Sequence, residues 1–398
     1  MKNRVGIVSG APRVSTKPDA EVLGSRGRLI GIIKAFEAMD WETQSYIVGD
    51  RMAPKVSGAG SEAIVSRNFF STLVIDVVRL ILSFANARRS WKELGAQVDL
   101  VYESGATLQC LGQIFKRHGI PWVLQTEAPQ FYEAKVERNA LVLTGLAKWL
   151  EVRAYNECDV LVCITEAMRE IVVHDLGIPL EKTLVVSNGV DTELFNPERY
   201  KPTRLFPNFT VGFVGMLYNW SGLALLLQAT AELRKEGLNL SLAIVGDGLM
   251  RATWEAETES FGIKEHVAFV GRVEWEEVPS YIAGFDVGFS GQKQMEIGKM
   301  YLSPLKLYEY MSMAKPVVAS AFADAHQLVF EGKTGFLFTP DDKDDLKRAL
   351  SRAYHQREAL HGMGLLARQE VVAYHSWTAR GKKLVDGIEH ILAKQASA

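Results

Sequence analysis

Residues 301–320 read YLSPLKLYEYMSMAKPVVAS, in which a Ser-Pro step, a segment of helical period and a β-branched run follow one another without a break. Ser303 is a good N-cap and Pro304 suits the first helical position, so a helix is expected to begin here and to lead into a buried strand at Pro316–Ser320. A helix that starts this way turns unpaired amide hydrogens and the positive end of its dipole outward, and Lys306 adds a full charge. Lys306 and Glu309, three residues apart, share a helical face. The stretch reads as an anion site, with a cation for phosphate and a carboxylate one turn on to grip both hydroxyls of a ribose. A solvated Lys–Glu pair behind an ordinary helix start has the same spacing, and the pattern alone does not separate the two.

Outward from this stretch, short β-branched runs alternate with longer segments of helical period, the signature of parallel sheets with crossover helices. One series holds VGIVS near residue 5, SYIV near 45, VDLVY near 98, WVL near 122, VLVCI near 160 and TLVV near 183. A second holds VGFVG near 211, SLAIVG near 241, HVAFVG near 266, VGFS near 287, PVVAS near 316 and GFLF near 335. Six strands suit one doubly wound unit, so the expected class is α/β with two Rossmann-like domains. A chain of 398 residues also exceeds what one core usually organises. Between the series, Asn196 to Phe209 carries three prolines and no sustained period, and the boundary is expected near 205, giving domains 1–205 and 206–398. The last segment, Trp377 to Ala393, is helical in pattern. Periodicity leaves open whether it crosses back to the first domain.

The net charge of −2 gives no electrostatic reason to expect a nucleic-acid partner, so any phosphate must be bound locally. Cys110, Cys158 and Cys163 lack a metal-ligand spacing and read as reduced thiols of a cytoplasmic protein. The chain passes from Met1 straight into a strand pattern, without the apolar segment of a signal peptide. The most apolar stretch, Phe69 to Phe84, is interrupted by Asp76 and Arg79 and is not expected to span a bilayer. Its basic end at Arg88, Arg89 and Lys92 leaves two readings. Either the helix packs on its own domain, or it makes a peripheral contact with anionic lipid, its apolar face in the interface.

A second glycine-bearing turn, VGFVGMLYNWSG, follows a strand pattern and precedes the apolar helix Leu223 to Leu233. Gly212 and Gly215 allow a diphosphate to approach the backbone closely, but the third glycine of the dinucleotide fingerprint is misplaced, which argues against a redox NAD site. Asp342-Lys343-Asp344 has the look of a metal-binding DxD, yet it follows a proline and precedes a helix, where capping explains it.

The order of short pieces is more specific than any one of them. VVSNGVDTELFNP at Val185–Pro197 is followed by WSG at Trp220, VGDG at Val245, VAFVGRV at Val267, EVPSYI at Glu277, SPLKLYEY at Ser303 and EGKTGFLF at Glu331. In this order and spacing they resemble the family-four retaining glycosyltransferases of the GT-B fold, in the subgroup with a Ser-Pro-x-Lys-x-x-Glu-Tyr signature, and the resemblance covers most of the chain. It implies two Rossmann-like domains facing across a cleft, the first on the acceptor side and the second holding the donor. The implied reaction moves a hexose from a nucleoside-diphosphate sugar, UDP favoured over GDP, to a saccharide or lipid-linked acceptor in surface polysaccharide or glycoconjugate synthesis. The anomeric configuration is kept, and neither a metal nor a further cofactor is required. An epimerase or hydrolase on the same scaffold, or a non-catalytic nucleotide-sugar-binding subunit, is the alternative.

By the same resemblance, Glu309 matches the ribose-binding carboxylate, Lys306 lies near the diphosphate, and Gly215 with Met216 begins the loop covering the phosphates. Tyr301, Leu302, Ser303, Pro304 and Leu305 supply the backbone around them. Two departures stand out. The paired glutamates of the wider family, eight positions apart, are here Tyr301 and Glu309, and the Arg and Lys often found in the glycine loop are replaced by Met216 and Ser221. Arg251, Lys293 and Lys299 are the candidates for the missing cation, and Glu296 for a contact with sugar hydroxyls. In the first half QTEAPQFYE, Gln125–Glu133, resembles the subgroup's E-x-N-A-P-x-x-x-E pattern and offers Glu127 or Glu133 to an acceptor hydroxyl. Capping of the loop explains these acids equally well. The early loop Gly10 to Arg28, with Gly24, Arg26, Gly27 and Arg28, lies where acceptors and phosphates commonly contact this fold.

Overall fold

The structure, a computed structural model, describes residues 3–17, 24–52, 68–137, 140–294 and 297–397. Each of the twelve short runs forms a strand. The first sheet holds β1 (Arg4–Ser9), β2 (Glu42–Ile47), β3 (Leu100–Ser104), β4 (Trp122–Thr126), β5 (Val160–Cys163) and β6 (Thr183–Val185). The second holds β7 (Phe209–Val214), β8 (Leu240–Val245), β9 (Val267–Gly271), β10 (Val287–Ser290), β11 (Val317–Ser320) and β12 (Gly335–Phe338). Every pairing within these sheets is parallel. Helices on both faces bury such strands, which is why Val160-Leu161-Val162-Cys163 is a continuous apolar run rather than an alternating one.

The strand orders are β2-β1-β3-β4-β5-β6 and β12-β11-β10-β7-β8-β9. The second is the doubly wound order of dinucleotide-binding folds, and the first has the related order that starts 2-1-3-4-5. In the second sheet the winding reverses where β7 pairs with both β8 and β10. Ligands of such sheets bind beyond the carboxyl ends of the strands at this reversal. There the chain leaves β7 into Gly215 and leaves β10 into Gly291.

The helix Lys343–His355 shows how the second unit covers its sheet. Leu346, Ala349, Leu350 and Ala353 form its buried stripe, and Asp342 caps it by accepting the Asp345 amide at 2.9 Å. The DxD look of this stretch is thus a helix start.

Two compact units divide the chain: Met1–Asn188 with Tyr301–Ser303 and Trp377–Ala398, and Gly189–Met300 with Pro304–Ser376. The first division therefore precedes the boundary expected near 205. The proline-bearing run has no period, but its side chains and amides are committed to the second unit. Val190 and Phe195 join its core, the Thr203 amide donates to the Ser280 carbonyl at 2.8 Å, and Arg204 pairs with Asp286 at 2.9 Å. The helix Trp377–Ala396 packs within the first unit against the helix Gly24–Ala38. Trp377 occupies the space beside Gly31, and Gly381 lies against the backbone of Ala35. Gly24–Arg28, expected in a loop, forms the first turn of its helix.

Candidate functional site

At the reversal of the second sheet, three segments meet. The first is the turn after β7. Gly215 has φ +142, a backbone state that side chains rarely adopt, and its amide donates to the Val245 carbonyl at 3.0 Å. The second is the helix Leu305–Ser312, and the third is the segment leaving β10. Gly222, at φ +72, lies so close to the Gly291 carbonyl that no side chain fits there. This approach locks the end of the WSG turn onto the segment after β10. The Lys293 amide donates to the Trp220 carbonyl at 3.0 Å, and its Nζ lies 3.5 Å from Asn219 Oδ1. Tyr218 and Trp220 stack at 4.4 Å on the same turn.

Lys306 lies against the first of these turns. A Cβ at Gly215 would stand 3.2 Å from Lys306 Nζ, which sits 3.8 Å from the centroid of the buried Phe213 ring. The Tyr310 hydroxyl accepts the Val214 amide at 2.7 Å, tying the end of β7 to the same helix. The ammonium thus rests on an aromatic face, beside a turn that carries no side chain. Burial pushes Lys306 down to about 7 and Glu309 up to about 7, each opposed by the other's charge. A negative charge beside Lys306 would favour its ammonium form.

The helix start itself differs from expectation. Pro304, not Ser303, occupies the capping position, and no side chain caps the helix. Ser303 is engaged in the first unit, where its hydroxyl accepts the Asn188 amide at 3.3 Å and its carbonyl accepts Asn188 Nδ2 at 2.5 Å. Tyr301 is fully buried and its carbonyl accepts the Thr165 hydroxyl at 2.8 Å, so the side chain standing in the place of the family's first glutamate is enclosed. Leu302 is half-buried beside it. Pro304 and Leu305 go with the second unit, where the first amides of the helix lack intrahelical acceptors.

Among the candidate cations, Arg251 is committed to carboxylates. Its guanidinium pairs with Glu255 at 2.8 Å and Asp247 at 3.5 Å and donates to the Phe269 carbonyl. These contacts hold the Arg251 guanidinium within its own unit, while Lys293 is held on the turn at Asn219 and Trp220. Met216 is half-buried, its carbonyl accepting the Tyr218 amide at 3.1 Å. Glu296 lies outside the described residues.

In the first unit Glu127 forms a close ion pair with Arg28, whose Nε donates to Asn188 Oδ1 at 2.6 Å. Burial pushes Arg28 down to about 10. Asn188 also receives Arg380 Nε on its carbonyl at 3.2 Å, so one amide side chain and its backbone join Arg28, Ser303 and Arg380. This junction was not anticipated; its only signal was the place of Asn188 inside VVSNGV. The loop carrying Glu127 is held by Glu151, which accepts the amides of Gln130 and Phe131 at 2.8 and 2.9 Å. Glu133 opens a turn of π-helix, Glu133–Glu137.

Comparison with known proteins accords with this architecture. Residues 32–194 match the family described as Glycosyltransferase Family 4, and residues 208–356 the one described as Glycosyl transferases group 1. Alpha-D-kanosaminyltransferase of Streptomyces kanamyceticus is 24% identical over 317 residues, 77% of this chain and 80% of its own length. The GDP-mannose-dependent alpha-(1-6)-phosphatidylinositol monomannoside mannosyltransferase of Mycolicibacterium smegmatis is 26% identical over 59% of this chain and 63% of its own, less than two thirds of that relative. Among solved structures, sucrose-phosphate synthase of Thermosynechococcus elongatus superposes with a TM-score of 0.72 at 17% identity, covering 99% of this chain and 100% of that one. Anabaena HepE in complex with UDP gives 0.66 at 17%, covering 98% and 100%. Two sheets of this winding, matched on both sides by glycosyltransferase families, define a glycosyltransferase of the GT-B fold. Within that class residues 32–194 are similar to the members of Glycosyltransferase Family 4.

Proposed function

We propose that the chain transfers a sugar from a nucleoside-diphosphate sugar to a saccharide or lipid-linked acceptor, with retention and without an essential metal. The observation that carries this reading is Lys306 Nζ standing against the side-chain-free turn at Gly215, beyond the reversal of the second sheet. Breaking the bond between sugar and diphosphate builds negative charge on the leaving oxygen. A desolvated ammonium and the first amides of the helix Leu305–Ser312 stabilise that charge as it forms, the work a metal does elsewhere. Glu309, one turn on, is assigned to the ribose hydroxyls. The nucleoside diphosphate is common to the donor named for the mycolicibacterial relative and the UDP held by HepE. The names of the kanosaminyltransferase and of the mannosyltransferase each print alpha, which accords with retention from an alpha-linked donor. Glu127, held by Arg28, is assigned to orienting the acceptor hydroxyl, and the departing phosphate takes its proton.

A thermal-shift panel of UDP, GDP, ADP and dTDP tests the donor side and chooses the base. One of these raises the melting temperature of the wild-type protein, and Glu309→Ala raises its dissociation constant in calorimetry. Equal affinity in wild type and Glu309→Ala moves the ribose elsewhere.

A further inference from the structure

The helix Phe69–Leu94 is amphipathic in the inverted sense. Its buried side chains are Thr72, Asp76, Asn86, Ser90 and Leu94, four of the five polar. Asp76 accepts the amides of Val142 and Leu143 at 2.8 and 3.0 Å, and Arg79 donates to Asp76 and to the Ala140 carbonyl, each at 3.1 Å. The Cys110 amide donates to the Ser83 hydroxyl at 3.0 Å. Polar bonds therefore fix this helix to its own unit, and the interruptions at Asp76 and Arg79 are its anchors.

The outward face is apolar. Phe70, Val74, Val77, Ile81 and Phe84 repeat at helical period, and Phe70, Ile81 and Phe84 are 76%, 64% and 61% exposed. A helix covering a soluble domain has the opposite arrangement, and so long a contiguous apolar stripe marks an interaction surface. The helix is long and apolar enough to cross a membrane, yet Asp76 and Arg79 bind its middle to residues 140–143, which suits a helix lying flat on its own unit. Leu80 shares a small apolar cluster with Ala147 and Leu150 of the helix Thr144–Glu157, which exposes Leu146 and Trp149.

Charge identifies the occupant. Where the apolar stripe ends, Arg88, Arg89 and Lys92 are exposed, and the Arg88 guanidinium lies 4.1 Å from the Phe84 ring centroid. The one exposed acid on this helix, Glu93, is paired with Arg51. An apolar face bounded by cations and accompanied by an exposed tryptophan is the chemistry of an interfacial helix on anionic lipid.

We propose that this face docks the first unit onto an anionic bilayer surface, the helix lying in the interface plane with Phe70, Ile81 and Phe84 among the acyl chains and Arg88 and Arg89 at the phosphates. The proposal stands apart from the donor chemistry and is tested without turnover. The full chain is sedimented with vesicles of phosphatidylcholine alone or in equal parts with phosphatidylglycerol, at low and high salt. Wild type binds the mixed vesicles and is released by salt. Ile81→Glu with Phe84→Glu abolishes binding, and Arg88→Glu with Arg89→Glu weakens it by about tenfold or more. Melting temperatures of both variants stay at the wild-type value, because the substituted side chains are exposed. Failure of wild type to bind mixed vesicles overturns the proposal, as does binding that neither variant changes. So does a dimer in analytical ultracentrifugation that Ile81→Glu with Phe84→Glu dissociates, if vesicles are not bound.

Discussion

Lys306 is a cation kept in reserve. Burial over Phe213 depresses its proton affinity to about 7, while Glu309 beside it is raised to about 7, so near neutrality the pair holds neither charge firmly. At pH 8 free Lys306 is largely unprotonated, and a diphosphate restores its charge, so binding takes up a proton. At pH 6 Glu309 is largely protonated, and accepting ribose hydroxyls as a carboxylate releases one. Calorimetry of the nucleoside diphosphate in buffers of different ionisation enthalpy reads this as uptake at pH 8 and release at pH 6. Lys306→Ala removes the uptake and Glu309→Ala the release. Lys306→Ala also lowers kcat/KM by about 2–4 kcal/mol of barrier, as loss of an oxyanion donor does, while the melting temperature changes little. Turnover equal to wild type would remove Lys306 from the mechanism. The position of this pair was legible because a Ser-Pro step and three-residue spacing are local. The true partner of Ser303 was not, because Asn188 is 115 residues away and nothing local marks a hydroxyl as spent.

Elements were legible in proportion to how fully they are buried. The central strands β3, β4, β5, β8 and β11 are buried along nearly their whole length and read as apolar runs, whereas β2 is buried only at Tyr46-Ile47 and carries the pattern only there. Helix packing was less legible. The contact of Gly31 with Trp377 joins two helices by the absence of one side chain and the bulk of another, a pairing no periodicity encodes. Gly31→Ala places a methyl 1.9 Å from the indole. It is expected to destabilise the fold by about 1–3 kcal/mol in denaturant titration, with the loss relieved by Trp377→Leu in a double-mutant cycle. The inverted helix Phe69–Leu94 also escaped a local reading. Apolar and charged positions were visible, but which side faced the protein depended on the amides of Val142 and Leu143 meeting Asp76.

For the whole molecule, the first compact unit ends at Asn188 rather than near 205, because the amides and apolar side chains of the intervening run belong to the second unit. The first unit in turn needs a helix from the far end of the chain. Trp377, Leu384, Val385, Ile388 and Ile391 are its buried face. Truncation after Ser376 is therefore expected to unfold residues 1–188 while the second unit keeps its own transition in calorimetry. A single unperturbed melt of the truncated chain would show that this helix is dispensable.

That returning helix has a consequence for synthesis. Translation normally lets amino-terminal domains finish first. Here every residue of the second unit has left the ribosome before Trp377 emerges, so the unit encoded later completes its core earlier. The nascent first unit must wait with the flank of the helix Gly24–Ala38 bare, and a ribosome paused late in the message would hold a chain half finished at its beginning.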